Sequence, residues 1–108
     1  MTVNILGTEY TIDRKSSIEE PMLNVMDGYC DDSIKAIVVN SDIERTETSK
    51  FDIPYVRRKQ IRHEIVHGFL CESGLAENSD WAQNEEIVDW IAMQGPKIYK
   101  VWQEAGAL

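Results

Sequence analysis

Apolar and polar residues alternate at Val3 and Ile5, then again at Tyr10 and Ile12, with Gly7-Thr8 between them. That period of two predicts a β-hairpin whose turn uses Gly7 for a positive φ. Ser17 and Glu20 have the spacing of a capping box, and a short helix is expected to begin near Pro21 and stop at Gly28. Tyr29-Cys30-Asp31 reads as a short strand, Asp32-Ser33 as a turn, and Lys35 to Asn40 as a second strand. The β-branched run Ile37-Val38-Val39 has the character of a strand covered on both faces. Ser41 to Lys50 is polar, lacks periodicity and reads as a loop.

The period then changes to that of a helix. Asp52 as cap and Pro54 in the first turn open a helix expected from Pro54 to Ser73, with Gly74 in the left-handed position that ends it. Ala76 to Ser79 is expected to be a link. Asp80, with Gln83 three residues later, is then expected to cap a second helix bearing Trp81, Ile87, Val88, Trp90 and Ile91. Gly95-Pro96 is expected to interrupt it before Ile98, Tyr99, Val101 and Trp102 resume the pattern to Ala105. Strands followed by helices make this an α+β chain, a single domain over residues 1–108.

The first long helix carries His63-Glu64-Ile65-Val66-His67, and these are the chain's two histidines. Positions i and i+4 share one side of a helix, so both imidazoles reach one metal ion. Glu64 points to another sector, from which its carboxylate can take a proton from a water the ion activates. Ile61, Ile65, Val66, Phe69 and Leu70 form a broad apolar arc, and the histidines sit at its edge, as groups lining a cleft beside a core would. H-E-x-x-H also arises by chance in helices, so the assignment requires a third ligand.

Without a third histidine, the donors left are carboxylates and thiolates. The second helix offers Glu85, Glu86 and Asp89. Glu85 and Asp89 are one turn apart and flank the apolar face of Trp81, Val88, Ile91 and Ala92, whereas Glu86 lies about a quarter-turn out, near Met93 and Lys97. Glu85 is therefore the expected third ligand, partly buried against the motif helix. Asp89 is the expected acceptor for the outer N–H of a ligating imidazole, which fixes its tautomer. Taken alone, the three acids would equally be an exposed face favoured near a helix N-terminus.

Composition narrows the function. A formal charge of −8 argues against nucleic acid as a partner. Arg57, Arg58, Lys59 and Arg62 are expected to form a solvated helix face. Cys30 and Cys71 fit no disulfide or C-x-x-C framework, and the N-terminus lacks the apolar stretch of a signal peptide. No apolar run reaches the length of a membrane span. The expectation is a reduced, cytoplasmic protein.

H-E-x-x-H followed by N-E-x-x-x-D on the next helix resembles the zinc metallopeptidases called gluzincins. The short form, with Glu85, Asp89, Ile91, Ala92 and Pro96, is similar to the ImmA/IrrE-like group, including small phage-encoded members, over roughly residues 62–96. The resemblance implies a minimal zincin-like fold: a small mixed sheet, an active-site helix and a ligand-bearing helix. It also implies that a sheet edge, with Lys35 to Asn40 the expected strand, receives an extended peptide. Gly68 departs from the alanine that often follows the second histidine. No oxyanion-stabilising residue is identified, and Tyr10, Tyr29, Tyr55 and Tyr99 are undifferentiated.

The resulting expectation is a zinc peptidase acting on a peptide or protein. Zn2+ is held by His63, His67 and Glu85, Glu64 is the general base, and Asp89 supports a ligand from behind. The rival readings are a non-catalytic zinc-binding interaction module and a metal-dependent hydrolase of a non-peptide bond. Oligomeric state is not legible.

Overall fold

A computed structural model describes residues 1–42 and 52–108. Thr2–Ile5 (β1) and Thr8–Lys15 (β2) form the expected hairpin. Its two turn residues, Leu6 and Gly7, have φ of 52° and 91°, the geometry of a tight hairpin turn, and Asn4 Oδ1 accepts the Gly7 N–H at 2.8 Å. The expected capping box is displaced by one residue: Ser16 and Glu19 make the reciprocal bonds, while Ser17 donates to Asp42. The short helix is a single 3₁₀ turn, Pro21–Asn24, and Gly28 does not cap it but opens the next strand.

Gly28–Asp31 (β3) and Ala36–Asn40 (β4) pair antiparallel, and β4 pairs parallel with β2. The described residues thus form one mixed four-stranded sheet in the order β1-β2-β4-β3. The expected burial of β4 on both faces holds, with Ile37, Val38 and Val39 all buried. The expectation that this strand is a receiving edge does not: β4 is central, and the edge beside the helices is β3. A run of three buried β-branched residues signals a strand flanked on both sides, which is why it cannot also be open.

One sheet face, with Ile5, Tyr10, Ile12, Ile37 and Val39, packs under the helix Ile53–Glu72 (α1) through Ile61 and Ile65. Asp52 caps α1 by accepting the Tyr55 N–H, and Gly74 at φ 81° ends the run. Gly68 is buried where a Cβ would lie 2.7 Å from Ile5 Cδ1, so β1 accounts for the missing alanine methyl. At the far end, Glu72 accepts from Thr8, Tyr10 and Lys35, tying α1 to the sheet. Those bonds hold its carboxyl below the usual range, Lys35 contributing most. The expected loop over residues 41–50 lies mostly outside the described residues.

Two boundaries after α1 differ from expectation. The link is a one-turn helix, Leu75–Asn78 (α2), followed by a 3₁₀ turn at Asp80–Gln83. The long helix Glu85–Glu104 (α3) starts later than Asp80 because Asn84 caps it, accepting the Ile87 N–H at 3.0 Å. Gln83 makes no capping bond and donates to the Ala76 carbonyl. Leu70, Ala82 and Val88 form the core between α1 and α3.

Nor does Pro96 interrupt α3. Proline lacks the N–H that would bond the carbonyl four residues back, which is that of buried Ala92. Arg62 Nε donates to that carbonyl at 2.6 Å. The basic cluster is therefore not merely a solvated face: Arg62 satisfies the broken rung, and Lys59 pairs with Asp89. Arg62→Met should cost about 1–3 kcal/mol by leaving the carbonyl unpaired. In a Pro96→Ala background, which restores an N–H, the same change should cost clearly less. Urea unfolding midpoints of the four proteins check this; equal costs in both backgrounds would contradict it.

Candidate metal centre

α1 crosses beneath the edge strand β3, and the first turn of α3 closes the third side. Between them lies an open cleft of about 430 Å³. His63, Glu64 and His67 line it from α1, Gly28 to Cys30 from β3, and Glu85 from α3.

The imidazoles of His63 and His67 are one helical turn apart, with ring centroids 5.0 Å from each other. Glu85 lies between their inner nitrogens. Its Oε2 is 2.8 Å from His63 Nε2, and its Oε1 is 3.0 Å from His67 Nε2. On the outer side, His63 Nδ1 is 3.3 Å from Asp89 Oδ1, and the same carboxylate pairs with Lys59. Asp89 lies one turn after Glu85, so a single helix face delivers both carboxylates to His63.

These spacings fit a divalent ion. One donor atom from each of His63, His67 and Glu85 falls within a 4.8 Å group. Nitrogen and oxygen ligands at 2.0–2.1 Å in tetrahedral geometry lie roughly 3.3 Å from one another, which the two Glu85–imidazole contacts of 2.8–3.3 Å approach, while the group as a whole spans up to 4.8 Å and would have to draw together around an ion. Two imidazoles and one carboxylate are donors suited to zinc and would leave it room for a fourth ligand. Glu86, on the same helix, belongs to no such group among the described residues.

One expectation about Glu85 is corrected: its side chain is 70% exposed rather than partly buried. Glu85 is the first residue of α3, and its carboxylate reaches across to the two imidazoles of α1.

Glu64 has the opposite environment. The residue is 3% exposed, and Gln60 Nε2 donates to its Oε2 at 2.6 Å. Burial pushes its carboxyl up to about 7, against the opposing pull of His63 and the Gln60 hydrogen bond. A carboxyl poised near neutrality suits proton transfer. Gln60 sits one turn before Glu64, and this i, i+4 relation is the signal that could have marked it. Gly28, expected from sequence only as a helix stop, also shapes the site. A Cβ there would lie 3.2 Å from Glu64 Oε2 and 3.1 Å from Gln60 Nε2, so its absence lets β3 pass close to the acid.

The structure also separates the tyrosines. Tyr10 is buried, and its hydroxyl donates to Glu72 at 2.6 Å, away from the cleft. Tyr29 lies on the cleft wall, while Tyr99 lines a groove between α1 and α3. Cys30 and Cys71 also line the cleft as free thiols; burial drives Cys30 up to about 12, so it stays protonated near neutral pH. No described helix is long and apolar enough to cross a membrane. Comparison with protein-family models, with curated proteins and with solved structures finds no match to this chain.

Proposed function

We propose that this chain is a zinc-dependent metallopeptidase of the gluzincin kind, acting on an extended peptide or protein segment. The observation that carries the reading is the meeting of three donors from two helices with a buried, near-neutral Glu64 in one open cleft. A cluster serving only to hold α1 and α3 together would have no use for a desolvated carboxyl beside it. Zinc held by His63, His67 and Glu85 would supply Lewis acidity toward a scissile carbonyl.

The chain's own groups do the rest. Asp89 orients His63 by accepting its Nδ1–H, which turns the Nε2 lone pair toward the donor group. Glu64 takes a proton from the attacking water and passes it to the leaving amine, with Gln60 holding the carboxylate in place. The backbone of β3 supplies a rail for the substrate. Asp27 O accepts the Asn40 N–H, and the alternation of an antiparallel ladder then turns the N–H and C=O of Gly28 and Cys30 outward along the cleft. No lysine or arginine lines the cleft, and Asp27, which stands outside the donor group, adds a carboxylate to its wall, which favours substrates with a basic side chain on the β3 side.

A peptide-library cleavage assay on zinc-loaded protein tests the reading. Cleavage enriched in basic peptides, abolished by chelator and restored by zinc, is the expected result. Zinc-replete protein that cleaves no library member would favour the non-catalytic binding module instead.

A further inference from the structure

The last third of α3 serves neither the core nor the cleft. From Tyr99 to Leu108 every residue is exposed, with Val101 at 59% and Trp102 at 52%. α3 uses Val88 and Ala92 to face α1, and both are fully buried. A second line, apolar except at Gln94, runs along the helix at Ile87, Ile91, Gln94, Ile98, Val101 and Ala105. The spacing is four, three, four, three, four, the period of a two-helix seam. Pro96 falls on the opposite side of the helix and leaves this line unbroken.

We infer that this seam is a self-association surface, on which the C-terminal half of α3 pairs antiparallel with the same segment of a second copy. Four features select that occupant and that direction. Centring the pair between Ile98 and Val101 sets each of these against the other in the partner. On one flank, Lys97 then faces the partner's Glu104, and Glu104 faces the partner's Lys97, giving two opposite-charge pairs. On the other flank, Trp102 faces the partner's Gly95, where an added Cβ meets nothing within 4 Å, so space exists for the indole. Finally, each chain carries a charge of −8, and an antiparallel pair holds the two acidic bodies at opposite ends, where a parallel pair would press them together.

A groove of about 310 Å³ lined by Lys97, Ile98, Val101 and Trp102 provides the hole into which the partner's side chains pack. Three turns per chain give an interface below the roughly 1,200 Å² at which stable complexes begin, so the dimer should be weak and reversible. The inference does not depend on the metal centre, since none of its residues lines the cleft.

Sedimentation equilibrium of the full chain, from roughly 1 to roughly 100 µM, tests it. The wild type should shift from monomer to dimer and go no further. Glu104→Lys should weaken the dimer by roughly tenfold or more, by setting lysines against each other. Lys97→Glu combined with Glu104→Lys should restore it, which a parallel dimer or a non-specific apolar contact would not do. Val101→Glu, at a site too exposed to be needed for folding, should give monomer with unchanged helical circular dichroism. A wild-type monomer across the range, a dimer indifferent to Glu104→Lys, or a double variant that fails to recover would each overturn the proposal.

Discussion

Glu64→Gln should leave zinc binding unchanged and lower peptide hydrolysis by roughly 10²–10⁴-fold, the usual contribution of a positioned general base. The carboxylate lies on the neighbouring sector of α1 and is absent from the donor group formed by His63, His67 and Glu85, so its loss removes no ligand. Glutamine preserves shape and can still pair with Gln60, which limits disturbance of a site where the native residue is 3% exposed. Removing a buried ionisable group with a raised pKa should also stabilise the metal-free protein near and above neutral pH. Burial raises the folded pKa to about 7 from an ordinary 4.5, so keeping Glu64 ionised costs stability as pH rises through that interval, and the amide escapes this cost. Steady-state hydrolysis and metal content measured on the same preparations check the prediction. A Glu64→Gln protein that retains wild-type turnover would remove Glu64 from the chemistry.

Much of this arrangement is legible in the sequence because it is local. The i, i+4 histidines, the Asp52 cap, the Gly74 stop and the Gly7 turn are each read within a few residues of themselves. The preference for Glu85 over Glu86 rests on an angle of about 100° between adjacent helical positions, which a mistaken helix start does not alter. The start itself differs from expectation because Asp80 and Asn84 are both good caps. The acidic pair Glu85-Glu86 just after Asn84, complementing the helix dipole, was the sign that favoured the later one.

What escaped is long-range. Pro96 breaks a helix by local rules, and only the approach of Arg62 from α1 supplies the bond that lets α3 continue. The parallel pairing of β2 with β4, which places β3 at the edge beside the cleft, joins segments more than twenty residues apart. No pattern within either strand announces that partner. The exposure of Glu85 likewise follows from where α3 begins relative to α1, not from the residues around it.

The second large effect concerns the metal itself. His63→Ala or His67→Ala should abolish stoichiometric zinc binding, since each removes one of only two imidazoles in the chain. Glu85→Ala should come next, because its carboxylate is the group that both inner nitrogens approach, at 2.8 and 3.0 Å. Asp89→Ala should weaken binding by roughly 10–100-fold, the cost of losing the acceptor behind a ligating imidazole. Glu86→Ala, one position away on the same helix, should be close to neutral. Glu85, Glu86 and Asp89 are exposed or partly exposed, and the histidines, though only 13% and 20% exposed, border an open cleft rather than the core, so the folds should survive for a fair comparison. A competitive zinc titration across the series, against a chelator of known affinity, is the most direct test of a centre built from His63, His67 and Glu85. The predicted order of damage is either histidine, then Glu85, then Asp89, with Glu86 indistinguishable from wild type. Undiminished affinity in both histidine variants, or Glu86→Ala proving worse than Glu85→Ala, would contradict it.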